Sequence, residues 1–558
     1  MALSEPCSDR RKVGMAGPRG SALIGFAVVV LVLGCMLVVD GAPFPAPRIN
    51  DCMSWEGCCP PRSNVPPIPF KFPGTSLPMR TRRAAHLVDA AYIAKYRRAY
   101  ALMRKLPASD PRSLVAQARL HCAYCGAAFT YPKSNYALEI HDGWFFFPWH
   151  RMFLYFHERI LASLIGDPTF TLPFWNWDNQ SPTAPQPKVG AANTMPSYYT
   201  SPGDNSNSLW NRNRNRCALP PNTIDLNSGG GCSNSSPRSL RIDNTRLMAV
   251  QMRTATTPGL FFGSTYRFGW SGGLGGGNLE GSPHGTVHVF TGNPNAANPF
   301  DDMGNLDRAA LDPLFYAHHA NMDRLWQVWK TAGGRGNRVD ISDRDYLNSQ
   351  FVFYDENKKL VSIKVSDVLD LNKLRYNYQN VPNPWMSASS QMNSMSVDSM
   401  SMSGSMPPST MCGPPNLDPN AMIKKAPMLP KKKTTVLTNK PLTFRLRRVD
   451  PSGKGEEILV FKKLSLDWTK TATINAYLFY PGADGTSIDC REFFGTFSHI
   501  PEANHRKKAA YTRSWKLGLS AKLEQLGLID VSHVVVTLVQ VGSSQQIKFA
   551  SATVEKDQ

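Results

Sequence analysis

Two groups of histidines, each set in an unusually aromatic stretch, constrain this chain more than any other feature. Of its 12 histidines, His121, His141 and His150 form the first group. His284, His288 and the adjacent His318 and His319 form the second. A lone helical histidine is ordinarily a core or surface residue, but His284 and His288 stand four apart. That spacing puts both imidazoles on one helix face, where they can chelate one ion. The surroundings support helices: apolar residues recur at helical spacing over Ala85–Leu106, and Ala116–Phe129, Trp144–Leu164 and Leu311–Lys330 are further candidates. Pro313 sits near the start of the last one, where proline is tolerated. Trp144–Leu164 carries so many aromatic residues that it should be buried on most faces.

The rest of the chain divides by composition. Arg10, Arg11, Lys12 and Arg19 precede an apolar run from Ala22 to Val39, so residues 1–42 read as a signal peptide, with a signal anchor as the alternative. Residues 43–386 form the main domain, opening on a Pro-rich arm and interrupted by an Asn/Ser/Pro/Gly-rich loop over 178–237. Residues 387–434 are rich in Ser, Met and Lys, cannot build a core, and read as a flexible linker. Residues 435–558 carry short β-prone runs at Leu442–Val449, Glu457–Leu464, Ala472–Phe479, Phe493–Ile500 and His533–Val541, a second and mainly β domain. The net charge of +20 comes from scattered basic residues with no recognition module, which argues against a nucleic-acid partner. No repeated long apolar span exists, so a polytopic membrane protein is excluded.

Eleven cysteines are present; Cys7 and Cys35 fall in the leader, leaving nine in the body. In an oxidising compartment these are disulfide candidates, and Cys217 and Cys232 are placed to close part of the long loop. Nine is odd, so at least one cysteine does something else.

Ligand type selects the metal. All-imidazole sites suit copper or zinc, and the zinc-protease pattern HExxH is absent. Two facing three-histidine sites can hold a pair of copper ions that together deliver the two electrons one copper cannot. At this point the segments HCAYC (His121–Cys125), FFFPWHRMFLYFHERIL (Phe145–Leu161), SPHGTVH (Ser282–His288) and DPLFYAHHANMDRLW (Asp312–Trp326) resemble the two copper signatures of the type-3 copper family. Plant polyphenol oxidases, meaning catechol oxidases and tyrosinases, are the nearest match.

The resemblance runs from about Cys52 to the C-terminus and implies a multi-domain chain. Its mainly α catalytic domain would be a four-helix bundle holding a dicopper centre between long loops, followed by an all-β, sandwich-like domain that covers the copper site in a latent form. It implies that His121, His141 and His150 bind one copper and His284, His288 and His319 the other, with His318 a neighbour. It implies a thioether from Cys125 to His141, and disulfides Cys52–Cys59 and Cys58–Cys122. Tyr376, Tyr378, Pro384 and Trp385 resemble the motif that ends the catalytic domain. Glu280 matches the carboxylate that holds a water near the site and is a candidate base for deprotonating a phenol. Gly285 stands where efficient monophenol hydroxylases often carry Asn. Leu306 replaces the Phe that often caps the second copper, which should widen the entrance.

The function implied is oxidation of o-diphenols to o-quinones with reduction of O2 to water, with weak monophenol hydroxylation. Two copper ions are the cofactor, and O2 and small phenols are the partners. No membrane association is expected once the leader is removed. The alternatives are a hemocyanin-like oxygen carrier and a biosynthetic oxidase dedicated to one phenol. The leader lacks a long Ser-rich transit region, so the expectation is the secretory route to vacuole or apoplast, with the thylakoid lumen second. The sequons at Asn179 and Asn234 fit that route. The linker methionines, Met386 to Met411, are not explained by the resemblance; thioethers favour Cu(I), so copper delivery competes with a plain low-complexity linker.

Overall fold

The computed structural model describes residues 41–557 except 54–56, 130, 132–137, 182–189, 270–272, 334–335, 387–411, 413–417, 431–432, 453–454, 487, 503–512 and 543–544. The expected leader and the Met-rich part of the linker lie outside the described residues. Among the described residues, no helix is long and apolar enough to cross a membrane.

Helices build the first domain, and local capping sets their ends. α1 (Ala90–Lys105) starts where the Asp89 carboxylate accepts from the Tyr92 backbone N–H and ends with Arg104 and Lys105 against the negative end of the helix dipole. The helix expected from Ala85 therefore begins five residues later, because Asp89 caps it; Ala85–Leu87 is a separate 3-10 turn. α2 (Leu114–Cys125) is capped by the Ser113 hydroxyl and stops at Gly126, short of the expected Phe129. α3 (Phe146–Ile165) closes on Gly166, whose φ of 68° is the left-handed conformation glycine adopts without strain. α4 (Pro237–Thr254) starts at a Ser236 cap with proline in its first turn, and the sequence pattern gave no warning of it. α5 (Gly285–Thr291) is short, and α6 (Pro313–Thr331) is capped by Asp312 with Pro313 in its first turn.

A buried polar clamp fixes α3 against α6. Asp323 of α6 accepts from Arg151 Nε of α3 at 2.6 Å, and from the Tyr376 and Tyr378 hydroxyls at 2.7 and 2.5 Å. Arg82 joins the same group, with Nε 2.8 Å from Glu158 of α3 and Nη1 2.9 Å from the Tyr378 hydroxyl. Trp385 donates its indole N–H to Asp178 at 2.9 Å. The Tyr-x-Tyr and Pro-Trp elements thus act as struts: each donates a hydrogen bond to a buried carboxylate, and a hydrogen bond to a charged group is worth about 1.5–3 kcal/mol.

The second domain is built on two packed antiparallel sheets, with a two-stranded ribbon of Thr435–Leu437 and Ile547–Phe549 beside them. One has the strand order Phe493–His499, Ala472–Leu478, His533–Val541, Leu442–Arg447; the other has Arg513–Gly518, Glu457–Leu464, Ser551–Lys556. Their facing sides share a core that includes Phe444, Phe461, Ile474, Trp515, Val535 and Phe549. The five expected strands are present to within two residues at each end. Arg513–Gly518 and Ser551–Lys556 were not foreseen, because their charged residues mask the alternation. Phe493–His499 is an edge strand of its sheet, yet every one of its residues is buried. An edge strand buried on both faces must be covered by something else, and here the helical domain covers it.

Three disulfides are formed: Cys52–Cys59, Cys58–Cys122 and Cys217–Cys232. Of the two sequons, Asn179 is only 4 % exposed, with its side-chain oxygen accepting from the Ser181 backbone N–H, so it offers no room for a glycan. Asn234 is exposed.

Candidate metal centre

α2 carries His121, α3 carries His150, α6 carries His318 and His319, and the turn Glu280–His284 running into α5 carries His284 and His288. His141 comes from the loop before α3. The fold gathers all seven at one place. In the first group the ring centroids of His121, His141 and His150 are 5.2–5.7 Å apart. In the second, His284, His288 and His319 are 4.6–5.3 Å apart. The groups touch: His150 stacks on His319 at 4.2 Å. Phe315 fills the space between them, 4.8 Å from His121 and 4.1 Å from His319, and Phe146 packs 4.6 Å from His284.

Hydrogen bonds sort these histidines from an ordinary core histidine. His157, also on α3, has both ring nitrogens engaged, by the Tyr100 hydroxyl at 2.9 Å and Gln117 Oε1 at 3.4 Å. His150 and His284 instead donate Nδ1–H to backbone carbonyls, of Phe146 at 2.8 Å and Glu280 at 2.9 Å, while Nε2 has no partner although buried. His288 donates Nδ1–H to the Met303 carbonyl at 2.6 Å, and its Nε2 comes within 3.1 Å of His319 Nε2. A carbonyl on Nδ1 fixes the proton there and leaves the Nε2 lone pair free for a metal. Burial also keeps the rings neutral, lowering His150 to about 3 and His288 to about 4, and holding His284 and His319 well below the usual range. Buried lone pairs that converge without a protein donor are what a cation with nitrogen preference requires, so the residues fit a copper pair.

His318 and His319 differ in the same way. The Trp177 indole N–H donates to His318 Nδ1 at 3.1 Å. A neutral imidazole accepting at Nδ1 carries its proton on Nε2, which removes the second lone pair. His319 instead points its Nε2 at His288. Trp177, Met303 and Phe315 were invisible as site residues in the sequence, since a backbone carbonyl has no residue signature and an aromatic residue looks like core. Cys125 is buried, with Sγ 3.3 Å from His121 Nε2, and it clusters with His141 as well as His121.

The remaining expected residues lie under the β domain. Glu280 is 6 % exposed, and its Oε1 accepts from the Asp142 backbone N–H at 2.6 Å. Burial, and then the Asp142 carboxylate, push its carboxyl well above the usual range in this closed form. Gly285 faces Ser498 of the edge strand: a Cβ added there would stand 3.3 Å from the Ser498 Cβ and Oγ. Leu306 donates its backbone N–H to the Pro501 carbonyl at 3.0 Å. The entrance expected to be wide at Leu306 is therefore covered. What remains over His141 and His284 is a cavity of about 40 Å³ bounded by Thr496–Ile500 of the β domain. That admits about one water, against the roughly 300 Å³ or more of a typical small-molecule pocket.

Arg513 fastens the cover. It reaches Asp142 of the helical domain at 2.7 Å and Glu502 at 2.9 Å, and it stacks on Trp468 at 4.0 Å. Arg246 of α4 adds a pair to Asp489 at 3.0 Å. Neither arginine could be picked out of a chain with 62 basic residues.

Comparison with known proteins agrees with this geometry. Residues 111–332 match the common central domain of tyrosinase, 340–391 the polyphenol oxidase middle domain, and 426–556 the chloroplastic polyphenol oxidase C-terminal domain. The chain is 38 % identical over 528 residues to a chloroplastic polyphenol oxidase of Vitis vinifera, covering 92 % of this chain and 82 % of the relative. It is 36 % identical to aureusidin synthase of Antirrhinum majus, covering 92 % and 89 %. The structure of latent apple tyrosinase superposes with a TM-score of 0.74 at 34 % identity, over 88 % of this chain and 100 % of that one. The helical core and strand-rich second domain are shared with the latent apple structure, and the chain belongs to the plant polyphenol oxidase family of type-3 dicopper oxidoreductases.

Proposed function

We propose that the chain oxidises o-diphenols to o-quinones and is latent until its β domain is displaced. Residues 43–386 would be the catalytic unit, 387–434 the linker and 435–558 the shield. His121, His141 and His150 would hold one copper, and His284, His288 and His319 the other. Cys125 would tie His141 in place by a thioether, which its position beside both imidazoles allows. The observation that carries this reading is the convergence of buried, proton-free Nε2 atoms from two histidine groups in contact.

When bound, the copper pair supplies the redox chemistry that lets two catechols give up four electrons to one O2, yielding two quinones and two waters. The chain's own residues prepare that chemistry. Carbonyls of Phe146, Glu280 and Met303 orient three of the imidazoles. Phe146 and Phe315 keep bulk water out between the groups. Once the shield leaves, Glu280 gains solvent and becomes a base able to take a phenol proton; with Gly285 offering no side chain to position a relay water, monophenols would react weakly. Aureusidin synthase is named for one product and (+)-larreatricin hydroxylase of Larrea tridentata for one substrate, which keeps a dedicated phenol as the second reading.

The chain works in an oxidising lumen on this reading, supported by its three disulfides. The grape relative's name supports the plastid over the vacuole or apoplast that the leader suggests. The test of the function is oxygen uptake with 4-methylcatechol before and after limited proteolysis, alongside copper content: two coppers and catechol-dependent uptake are expected. Reversible oxygen binding without catechol turnover in the separated core would favour the oxygen carrier instead.

A further inference from the structure

Of the nine body cysteines, six are paired in three disulfides and Cys125 lies against the first histidine group. The last two are distant in sequence, one in the linker and one in the β domain, yet the fold brings them together. The sulfurs of Cys412 and Cys490 and a carboxylate oxygen of Glu492 all lie within 4.8 Å of one another. Cys490 is fully buried just before the edge strand, and Cys412 is half-buried. The backbone N–H of Cys412 donates to Glu492 Oε2 at 3.2 Å, so Cys412 sits against the β domain. A disulfide holds its sulfurs about 2.05 Å apart, so a pair within 4.8 Å needs less than about 3 Å of approach to bond.

We propose that Cys412 and Cys490 form a fourth disulfide that ties the linker to the β domain. The bond forms by exchange with a disulfide donor of the kind that makes the other three. The Cys412 thiolate, on the accessible side, attacks the donor disulfide and gives a mixed disulfide. Burial and the neighbouring Cys412 sulfur push the Cys490 thiol up, so it reacts second. It loses its proton, attacks the Cys412 sulfur and expels the donor as a dithiol. The two thiol protons and two electrons thus pass to the donor, and no net proton is released.

The position of Cys412 gives the bond a consequence, which rests on the shielding role proposed above. Lys424, Lys425 and Lys433 lie after Cys412. A cut at any of them leaves Cys412 with the catalytic unit, so the disulfide would keep the β domain attached and its edge strand over the site. A cut before Cys412 leaves both cysteines with the β domain and frees it. Whether cleavage activates the enzyme then depends on which side of Cys412 it falls, or on reduction.

The decisive measurement is peptide mass spectrometry of the full chain, made in an oxidising secretory host and denatured with iodoacetamide without reductant. Peptides bearing Cys412 and Cys490 should appear joined, two hydrogens lighter than the sum. After trypsin cuts the linker at those lysines, the fragments should co-migrate on a non-reducing gel and separate on a reducing one. Cys412→Ser should separate without reductant while keeping the copper content and the activity of the uncut chain. Recovery of both cysteines as alkylated thiols overturns the proposal, whether directly or only after a copper chelator, which would mark a thiolate metal site. So does fragment separation of oxidised wild type. The linkage is read by mass, so its failure is distinguishable from a failure of shielding, in which the tethered cut form would already be fully active.

Discussion

The helical core and the β domain both bury many polar groups, but they finish them differently. In the β domain, Arg448 pairs with Glu457 at 2.6 Å and the Thr496 hydroxyl donates to Asn475 at 2.7 Å, and atoms left without a partner, such as Thr473 Oγ1 and Gln540 Oε1, are hydroxyl and amide oxygens rather than converging imidazole nitrogens. In the core, the Asp323 carboxylate accepts from Arg151, Tyr376 and Tyr378, whereas Nε2 of His150 and His284 is buried with no partner. A buried polar atom without a hydrogen bond costs about 1–3 kcal/mol. The core carries several together, an arrangement that makes sense for lone pairs waiting on a cation, while the β domain carries the closed surface of a cover. One region is built to react and the other to be removed.

The sharpest way to break that contrast is His288→Ala. It should lose about one of two coppers and essentially all catechol oxidation, measured by metal analysis and oxygen uptake on one preparation. An active variant would mean that the converging nitrogens are incidental. Next comes removal of the cover. If the site is open about 1–10 % of the time in the intact chain, separating the β domain should raise diphenolase activity roughly ten- to hundredfold. No change would reduce the β domain to an appendage.

Arg513→Ala tests the fastening rather than the cover. It removes the guanidinium that Asp142 and Glu502 share, and breaking a buried pair costs up to about 3–5 kcal/mol. Part of that falls on the docked state, so the uncut variant should show several-fold higher activity with unchanged copper content. Equal latency would place the fastening elsewhere, with Arg246 and Asp489 the next pair to cut.

The smallest expected effect is at Gly285. In the separated core, Gly285→Asn should raise tyramine hydroxylation a few-fold relative to dopamine oxidation, through a better-held relay water. In the intact chain the same change pushes on Ser498, so it should also loosen the shield. Comparable tyramine and dopamine rates in the wild-type core would instead make access at Leu306 the controlling feature.

Much of this was legible in residue order. Histidine spacing, the imidazole-only donor set and the Asp-Pro start of α6 are local properties, and helix and strand periods read directly from them. Helix ends were less legible, because a single cap such as Asp89 overrides a continuing apolar pattern. α4 escaped because its polar residues, among them Asn244 and Gln251, are buried and hydrogen-bonded, which hides an inward face.

What the sequence alone determined is therefore the chemistry available: which side chains can ligate, which segments coil and which extend, and that two unlike domains are joined by a weak linker. The tertiary structure decided the rest. It chose which nitrogen of each imidazole is left bare, through carbonyls of Phe146, Glu280 and Met303 that no residue name announces. It set His319 facing His288 and gave His318 to Trp177, although the two are neighbours in the chain. It laid Ser498 over Gly285 and put Glu280, the candidate base, out of reach of solvent under the β domain. The reason is physical: ligation, burial and pKa depend on atoms within a few ångströms, and in a folded chain most of those atoms come from residues far away in sequence.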